Sequence, residues 1–313
     1  MNEARCGALP TMAVVTPSFN QGRWLRSAID SVLDEAYPGL DYLVVDAVSN
    51  DDSCDIARSY GQQLRLLCEP DRGQSDGINK GFRHTRGEII AWLNADDVYL
   101  PGALSKVGRI FAEHPDVGLV YGNAEFVDEA GSLIGPAVHV EAYSRERLLG
   151  VGDLIVQPAA FFRRSLFEAV GGLREDLHWT MDYDLWLRLG QLARVVYVDD
   201  VLAQVRCHAG AKTFSGGGRR LQEVEMMIRE HGGRALPAYF QIEAAAMALD
   251  EGLRQLAAGR FLKASRSLAK AALIPLASLS TMAVLAQPQT WRVINAARSR
   301  TARLAQSAAS AQE

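Results

Sequence analysis

The sequence predicts an α/β fold, a mostly parallel, doubly wound sheet with flanking helices, continued at its C-terminus by helices alone. Three observations predict it. Between Met12 and Gly122 short apolar runs alternate with longer segments of helical period, the pattern of βαβ units. A polar cluster follows each of the first four apolar runs, where an open parallel sheet forms its crevice. From about Leu221 the pattern turns helical only, and no strand period interrupts it.

Met12-Ala13-Val14-Val15-Thr16 reads as a buried strand, and Gly22 to Ala36 carries Trp24, Leu25, Ala28, Ile29 and Val32 at helical spacing. Tyr42-Leu43-Val44-Val45 is a second strand, and Asp52 to Tyr60 a short helix opened by Asp and Ser. Leu64 to Cys68 is a third strand, followed by a helix from about Ser75 to Arg86. Glu88 to Leu93 is a fourth strand, Pro101 to Glu113 a helix with Pro near its first turn, and Gly118 to Gly122 a fifth strand. Glu243 to Leu273 reads as a helical hairpin with Gly259 at the bend. Its small and apolar positions, Ala264, Leu268 and Ala271, resemble a single tetratricopeptide-like unit, too few for a solenoid. The apolar run Ala271 to Ala286, interrupted by Pro275, is too short to span a bilayer and reads as an interfacial or packed segment. The expected division is residues 1–215 as the α/β body and 216–313 as the helical region.

Hydrophobic content of 48% and charged content of 22% are those of an ordinary globular chain. The net charge of −4 hides an asymmetry. From Gly252 to Gln312 there is no acid, only nine bases from Arg254 to Arg303, so the rest of the chain stands at −13. An acidic body with a basic tail argues against nucleic acid as partner and fits peripheral contact with an anionic membrane. Met1 to Pro10 has no cationic segment leading into an apolar run. Cys6, Cys54, Cys68 and Cys207 are scattered without a CxxC pair, read as incidental small side chains in a reducing compartment. The expected location is cytoplasmic, at most peripheral at the inner face of the membrane.

Chemistry concentrates in Trp92-Leu93-Asn94-Ala95-Asp96-Asp97. Two adjacent carboxylates at a strand's end repel unless a cation or hydrogen bonds compensate them. A hard ion such as Mg²⁺ or Mn²⁺ takes one or two carboxylates and completes its shell with phosphate oxygens. The alternative is an Asp capping the helix near Pro101. Thr16-Pro17-Ser18-Phe19-Asn20, Asp46 and the run Glu69 to Asp76 are expected on the same edge.

Val15 to Asn20 with Trp24-Leu25 and Ala28-Ile29-Ser31-Val32 resembles the opening of family 2 glycosyltransferases. Val44-Val45-Asp46, Asn79-Lys80-Gly81, Asn94-Ala95-Asp96-Asp97 and Asp182-Tyr183-Asp184-Leu185-Trp186-Leu187-Arg188-Leu189 continue that resemblance in order, over about residues 11–215. It implies the GT-A fold, a nucleoside-diphosphate-sugar donor, a glycan or lipid-linked acceptor, a divalent metal (Mn²⁺ or Mg²⁺) and inversion at the anomeric carbon. By the same resemblance Thr16 and Pro17 line the donor pocket with Asn20, Asp46 meets a base edge, and Asp96 faces the ribose and sugar. Asp97 would bind the metal and His208 would join it, while Asp182 would serve as general base. A displacement that deprotonates an attacking hydroxyl needs such a base. Asp184 is expected on a different helix face, in a capping or supporting role. Asp182 has its own structural alternative, an N-cap for the helix carrying Trp186 and Leu189. Arg72 could pair with a phosphate or Asp71, Asp76 could meet the sugar, and Glu175 and Asp176 are candidates for acceptor contact.

The sequence departs from the family pattern after Asp46, where Ala47 and Val48 replace Gly-rich residues and Asp52 stands where Gly is usual. Valine is poorly suited to positive φ, so the loop is expected to follow an ordinary backbone path. Met181 replaces an acid often found before the base. A sugar-1-phosphate nucleotidyltransferase would need a Gly-rich phosphate loop after the first strand, which Thr16 to Asn20 is not, and no GxGxxG supports a nicotinamide enzyme. A non-catalytic glycan- or lipid-binding relative would have no need of Asp97 or Asp182, and both are present.

Overall fold

The first strand, β1 (Met12–Ser18), is buried at all seven positions and lies in the interior of the sheet. The computed structural model describes residues 8–137, 140–208, 210–212 and 216–273. They fall into two units: one runs to Arg145 and from Asp153 to Ser215, the other comprises Glu146–Gly152 and the chain from Gly216.

In the first unit, α1 (Gly22–Leu33) leads to β2 (Leu40–Asp46), α2 (Ser53–Ser59), β3 (Arg65–Cys68), α3 (Gln74–His84) and β4 (Ile89–Trp92). A short β5 (Val98–Tyr99) and α4 (Ala103–Glu113) precede β6 (Val117–Val127) and β7 (Leu133–Pro136). α5 (Arg145–Gly150) falls, except for Arg145, in the second unit, and the first resumes with β8 (Ala160–Arg163), α6 (Arg164–Ala169), α7 (Met181–Leu189) and β9 (Arg194–Arg206). Among the described residues the strands form one sheet of order β3-β2-β1-β4-β8-β6-β9-β5, with β7 on β6. From β3 to β4 every neighbour is parallel. β8 enters antiparallel between β4 and β6, and β9 runs parallel to β6. The expected five-residue strand at Gly118–Gly122 is the first half of an eleven-residue β6.

Strand alternation gives the sheet two apolar faces. Met12, Val14, Val44, Ile89 and Ala91 share one core with Leu25, Ile29 and Val32 of α1 and Leu104, Val107 and Phe111 of α4. The alternate residues face α3, α6 and α7. There Trp92 stacks on Trp186 of α7 at 5.8 Å, and Phe162 meets Phe82, Phe167 and Trp186. Gly81 lets α3 approach this face, since a Cβ there would stand 2.5 Å from a Val15 methyl. Asn79, two residues before Gly81, accepts from Leu173 N–H and donates to its carbonyl, both at 2.9 Å, fixing the segment that leads to α7. The Asn-Lys-Gly triplet is thus a helix-docking device.

Asp184 is fully buried and bonds Arg188 at 2.8 Å, with Arg174 also near. Removing one partner of a buried pair leaves the other charge uncompensated. Asp184→Ala is expected to cost roughly 3–5 kcal/mol, read as a fall in the urea midpoint of this unit.

The second unit contains α8 (Gly218–Glu230), α9 (Ala238–Ala257) and α10 (Phe261–Leu273). α9 and α10 form the expected hairpin, with Gly259 at φ +71° in the bend and Gly252 packed on Leu268. No helix of the described residues is long and apolar enough to cross a membrane. Pro275, most of the Ala271–Ala286 run and the bases from Arg292 lie outside the described residues.

Candidate active site

The carboxyl ends of β1, β2 and β4 converge on one edge, joined there by residues from the end of β9. Thr16 is fully buried and its hydroxyl bonds the Tyr42 hydroxyl at 3.0 Å, so its side chain belongs to the core; Pro17 is buried beside it. Asn20 ties the loops together, its backbone N–H donating to Ser49 Oγ at 2.8 Å and its side-chain Oδ1 accepting from Asn50 N–H at 2.8 Å. Asp46 is fully buried and accepts from Ser49 N–H at 2.7 Å and Ser49 Oγ at 2.8 Å, an Asx turn.

Two expectations are corrected here. Val48 adopts φ +62° rather than an ordinary path, and stands 47% exposed. The Asp46–Ser49 turn and the Asn20–Asn50 bond overrule the valine's preference, at a cost of about 1–2 kcal/mol. Nor are the cysteines all incidental. Cys54 Sγ lies 3.1 Å from Cys68 Sγ and 3.2 Å from Asp46 Oδ1. Burial first, then hydrogen bonds to Cys68 and Asp46, push the Cys54 thiol up to about 12.

The two carboxylates after β4 occupy different environments. Asp97 is 4% exposed; it accepts from Asn94 Nδ2 at 3.0 Å and from the Arg206 backbone N–H at 3.1 Å. Burial, and next the Asp96 carboxylate, hold it well above the usual carboxylate range. The Asp96 side chain meets His208 Nε2 at 2.8 Å, and the imidazole packs on the Trp24 ring at 4.1 Å between centroids. Neither Asp caps α4. Glu35 does so from 67 residues away, accepting from Gly102 N–H at 2.6 Å and Leu104 N–H at 2.8 Å. Arg206, absent from the sequence expectations, donates from Nε to Asp96 O at 3.1 Å and from its N–H to Asp97. It fastens the end of β9 to the carboxylate pair, a long-range role that no local motif announces.

A polar chain crosses the edge: Lys212 Nζ donates to Gln74 Oε1 at 2.8 Å, Gln74 Nε2 to Asn94 Oδ1 at 2.8 Å, and Asn94 onward to Asp97 and Gln157. A cleft opens beside it, lined by Arg72, Gln74, Asp76, Glu175, His178 and Lys212 among others. Arg72 does not pair with Asp71, whose carboxylate takes Gly73 N–H instead; it bridges Glu175 at 2.6 Å and Asp76 at 3.4 Å. Asp76 is 3% exposed; burial would raise it, but bonds from Arg72 and Lys80 outweigh that and hold it low.

Asp182 lies in the first turn of α7, two residues after the N-cap residue Thr180, so it is not the cap. One of its oxygens accepts Tyr183 N–H at 2.8 Å. Asp153, which the sequence reading missed, is its electrostatic neighbour: burial and then Asp182 push Asp153 well above the ordinary range. Ser75 Oγ contacts Met181 Sδ at 2.8 Å, and Trp186 stacks on Trp92, so α7 is anchored to α3 and β4.

The family profile described as Glycosyl transferase family 2 matches residues 13–171. An uncharacterized glycosyltransferase of Rickettsia prowazekii is 29% identical over 227 residues, spanning 69% of this chain and 70% of the relative. Among solved structures, S. aureus TarS 1-349 in complex with UDP-GlcNAc superposes with a TM-score of 0.60 at 13% identity, over 83% of this chain and 90% of that one. The mannosyltransferase PcManGT from Pyrobaculum calidifontis, in complex with GDP-Man and Mn²⁺, gives 0.58 at 22% identity, over 95% and 84%. At those identities the two structures establish a shared fold.

Proposed function

The chain belongs to glycosyl transferase family 2 and has the GT-A fold, and from that premise we propose that it moves a sugar from a nucleoside-diphosphate donor to an acceptor hydroxyl by a single inverting displacement. One observation carries the reading: adjacent carboxylates at the end of β4, Asp97 raised by its burial and then by the Asp96 charge, with His208 aligned on Asp96. Like charges so placed call for a cation.

The residues present fit a divalent ion. Asp96 and His208 offer an oxygen and a nitrogen 2.8 Å apart, close to the spacing of two neighbouring ligands on one octahedral ion with bonds of about 2.1 Å. Asp97 has its oxygens committed to Asn94 and Arg206. The geometry therefore favours Asp96 with His208 as ligands and Asp97 as the buried support, rather than Asp97 as ligand. Bound Mn²⁺ or Mg²⁺ would supply Lewis-acid stabilisation of charge on the nucleoside-diphosphate leaving group.

The remaining roles follow from exposure and charge. The loop from Asp46 to Asn50, held to Asn20, frames the nucleobase. Ser18 Oγ and Trp24 Nε1 are buried without a hydrogen-bond partner among the described residues, and a bound donor would relieve that cost. Arg72, held by Asp76 and Glu175, and Lys212 face the cleft as phosphate partners. Asp182 takes the acceptor proton.

Titration calorimetry with UDP-, GDP- and dTDP-sugars, with and without Mn²⁺, is expected to find one nucleotide class bound, and bound tightly only with the metal. Metal-independent binding, or none to any of the panel, overturns the reading. On the acceptor side, the basic stretch from Arg254 onward supports a glycan or lipid-linked acceptor at an anionic surface. Co-sedimentation with anionic vesicles at low salt is expected, and a chain left wholly in the supernatant removes that support.

A further inference from the structure

Three ligand-type atoms sit together outside the Asp96–His208 site. They are a carboxylate oxygen of Asp46 and the thiol sulfurs of Cys54 and Cys68, all within 4.8 Å of one another. Each comes from a different element: the end of β2, the first turn of α2 and the end of β3. The parallel register that sets Asp46 beside Cys68 fixes two of them on a rigid frame. Cys68 is exposed, so the group is reachable from solvent, whereas Asp46 is fully buried.

We infer that Asp46, Cys54 and Cys68 form a second cation site, selective for a thiophilic divalent ion of the Zn²⁺ class, whose occupation competes with the nucleotide for the loop after β2. Tetrahedral zinc with Zn–S near 2.3 Å and Zn–O near 2.0 Å sets its sulfurs about 3.8 Å apart and each sulfur about 3.5 Å from the oxygen. Here the separations are 3.1 Å between sulfurs, and 3.2 and 4.0 Å from sulfur to oxygen. Each differs from the ideal by less than an ångström, within reach of small side-chain rotations. A water would complete the fourth position. As the two metal–sulfur bonds form, both thiol protons pass to solvent, and Asp46 supplies a carboxylate oxygen.

Softness separates this site from the first. Thiolates select zinc-like ions, whereas a carboxylate, an imidazole and phosphate oxygens suit Mn²⁺ or Mg²⁺. The consequence for activity rests on the reading that the Asp46–Asn50 loop frames the nucleobase. An ion on Asp46 Oδ1 binds the same oxygen that now accepts Ser49 N–H at 2.7 Å, and so weakens the Asp46–Ser49 turn. That turn keeps Val48 at φ +62°, so its release lets the loop fall back to an ordinary path.

The test is a Cd²⁺ titration of the full-length reduced chain, with Mn²⁺ in excess to fill the hard site, following the thiolate-to-cadmium charge-transfer band in the ultraviolet. One equivalent is expected to bind. Cys54→Ser and Cys68→Ser should each weaken binding by at least about tenfold, since loss of even an outer-sphere partner costs 10–100-fold. Cys68 is exposed, so its variant keeps the fold; Cys207→Ser, the control, should bind as wild type does. Cadmium binding unchanged in both variants overturns the site, and so does a pair that binds no cadmium after reduction. A parallel nucleotide titration separates the two layers. Weaker nucleotide binding with Cd²⁺ in wild type, but not in Cys68→Ser, supports the competition. Stoichiometric cadmium binding with nucleotide affinity unchanged keeps the site and overturns the nucleobase role of the loop.

Discussion

Asp182→Asn is expected to lower kcat by roughly 10²–10⁴, the contribution of a positioned general base, while donor affinity stays within about twofold. Asn is nearly isosteric and can still accept Tyr183 N–H through its carbonyl, the bond Asp182 makes at 2.8 Å, so the first turn of α7 keeps its form. What disappears is the capacity to take a proton. The helix is rigid in a way that suits a base: Trp186 stacks on Trp92, Asp184 pairs with Arg188, and Met181 meets Ser75. A structural role would move both KM and the melting temperature. A base moves kcat alone, and quantitative product assays at saturating donor separate the two. Asp153 stands nearby with its own carboxyl raised by burial and by Asp182. Residual turnover in Asp182→Asn should therefore fall further in the Asp153→Asn double variant. Unchanged kcat in Asp182→Asn removes this residue as the base.

The part of the fold that could be read from sequence is the part whose causes are local. From β1 through α4 each element except the two-residue β5 carries its own period, and the buried residues of β1 and β4 alternate between two cores as that period requires. α7 was readable because its acidic first turn and apolar ring positions lie within nine residues. β8 and β9 were not. β8 is a four-residue run whose place between β4 and β6 depends on partners far along the chain. β9 carries Asp199-Asp200 between two short apolar runs, Val195–Val198 and Val201–Ala203, so its thirteen residues do not read as one strand. The site divides the same way. The carboxylates were visible as residues, but their environments come from Arg206 and His208, more than a hundred positions downstream. The same distance problem hid Cys54 and Cys68. They are fourteen residues apart in sequence and meet because α2 packs beside β3.

Asp96→Asn should remove Mn²⁺-dependent donor binding and lower turnover by about 10³ or more, the several kcal/mol that a Lewis acid contributes to a developing leaving-group charge. The stability signature makes the assignment testable without any substrate. Asp97 is held above the usual carboxylate range by burial and by the Asp96 charge. A carboxyl raised in the folded state binds more protons there than in the unfolded chain, so its ionisation costs stability as pH rises through the folded value. Asp96→Asn removes one cause of that rise and keeps a side chain able to bond His208. The metal-free variant should then melt above metal-free wild type at neutral pH. Saturating Mn²⁺ reverses the order. At a hundredfold over Kd the ion adds about 2.7 kcal/mol to wild type, and the variant, lacking its carboxylate ligand, gains little. Asp97→Asn has the opposite pattern if Asp97 is the support: metal affinity falls modestly while stability changes in both states, because Asn94 and Arg206 lose the charge they bond. A Mn²⁺ response lost in Asp97→Asn and intact in Asp96→Asn would return the ligand role to Asp97, leaving Asp96 and His208 as a pair that faces the donor.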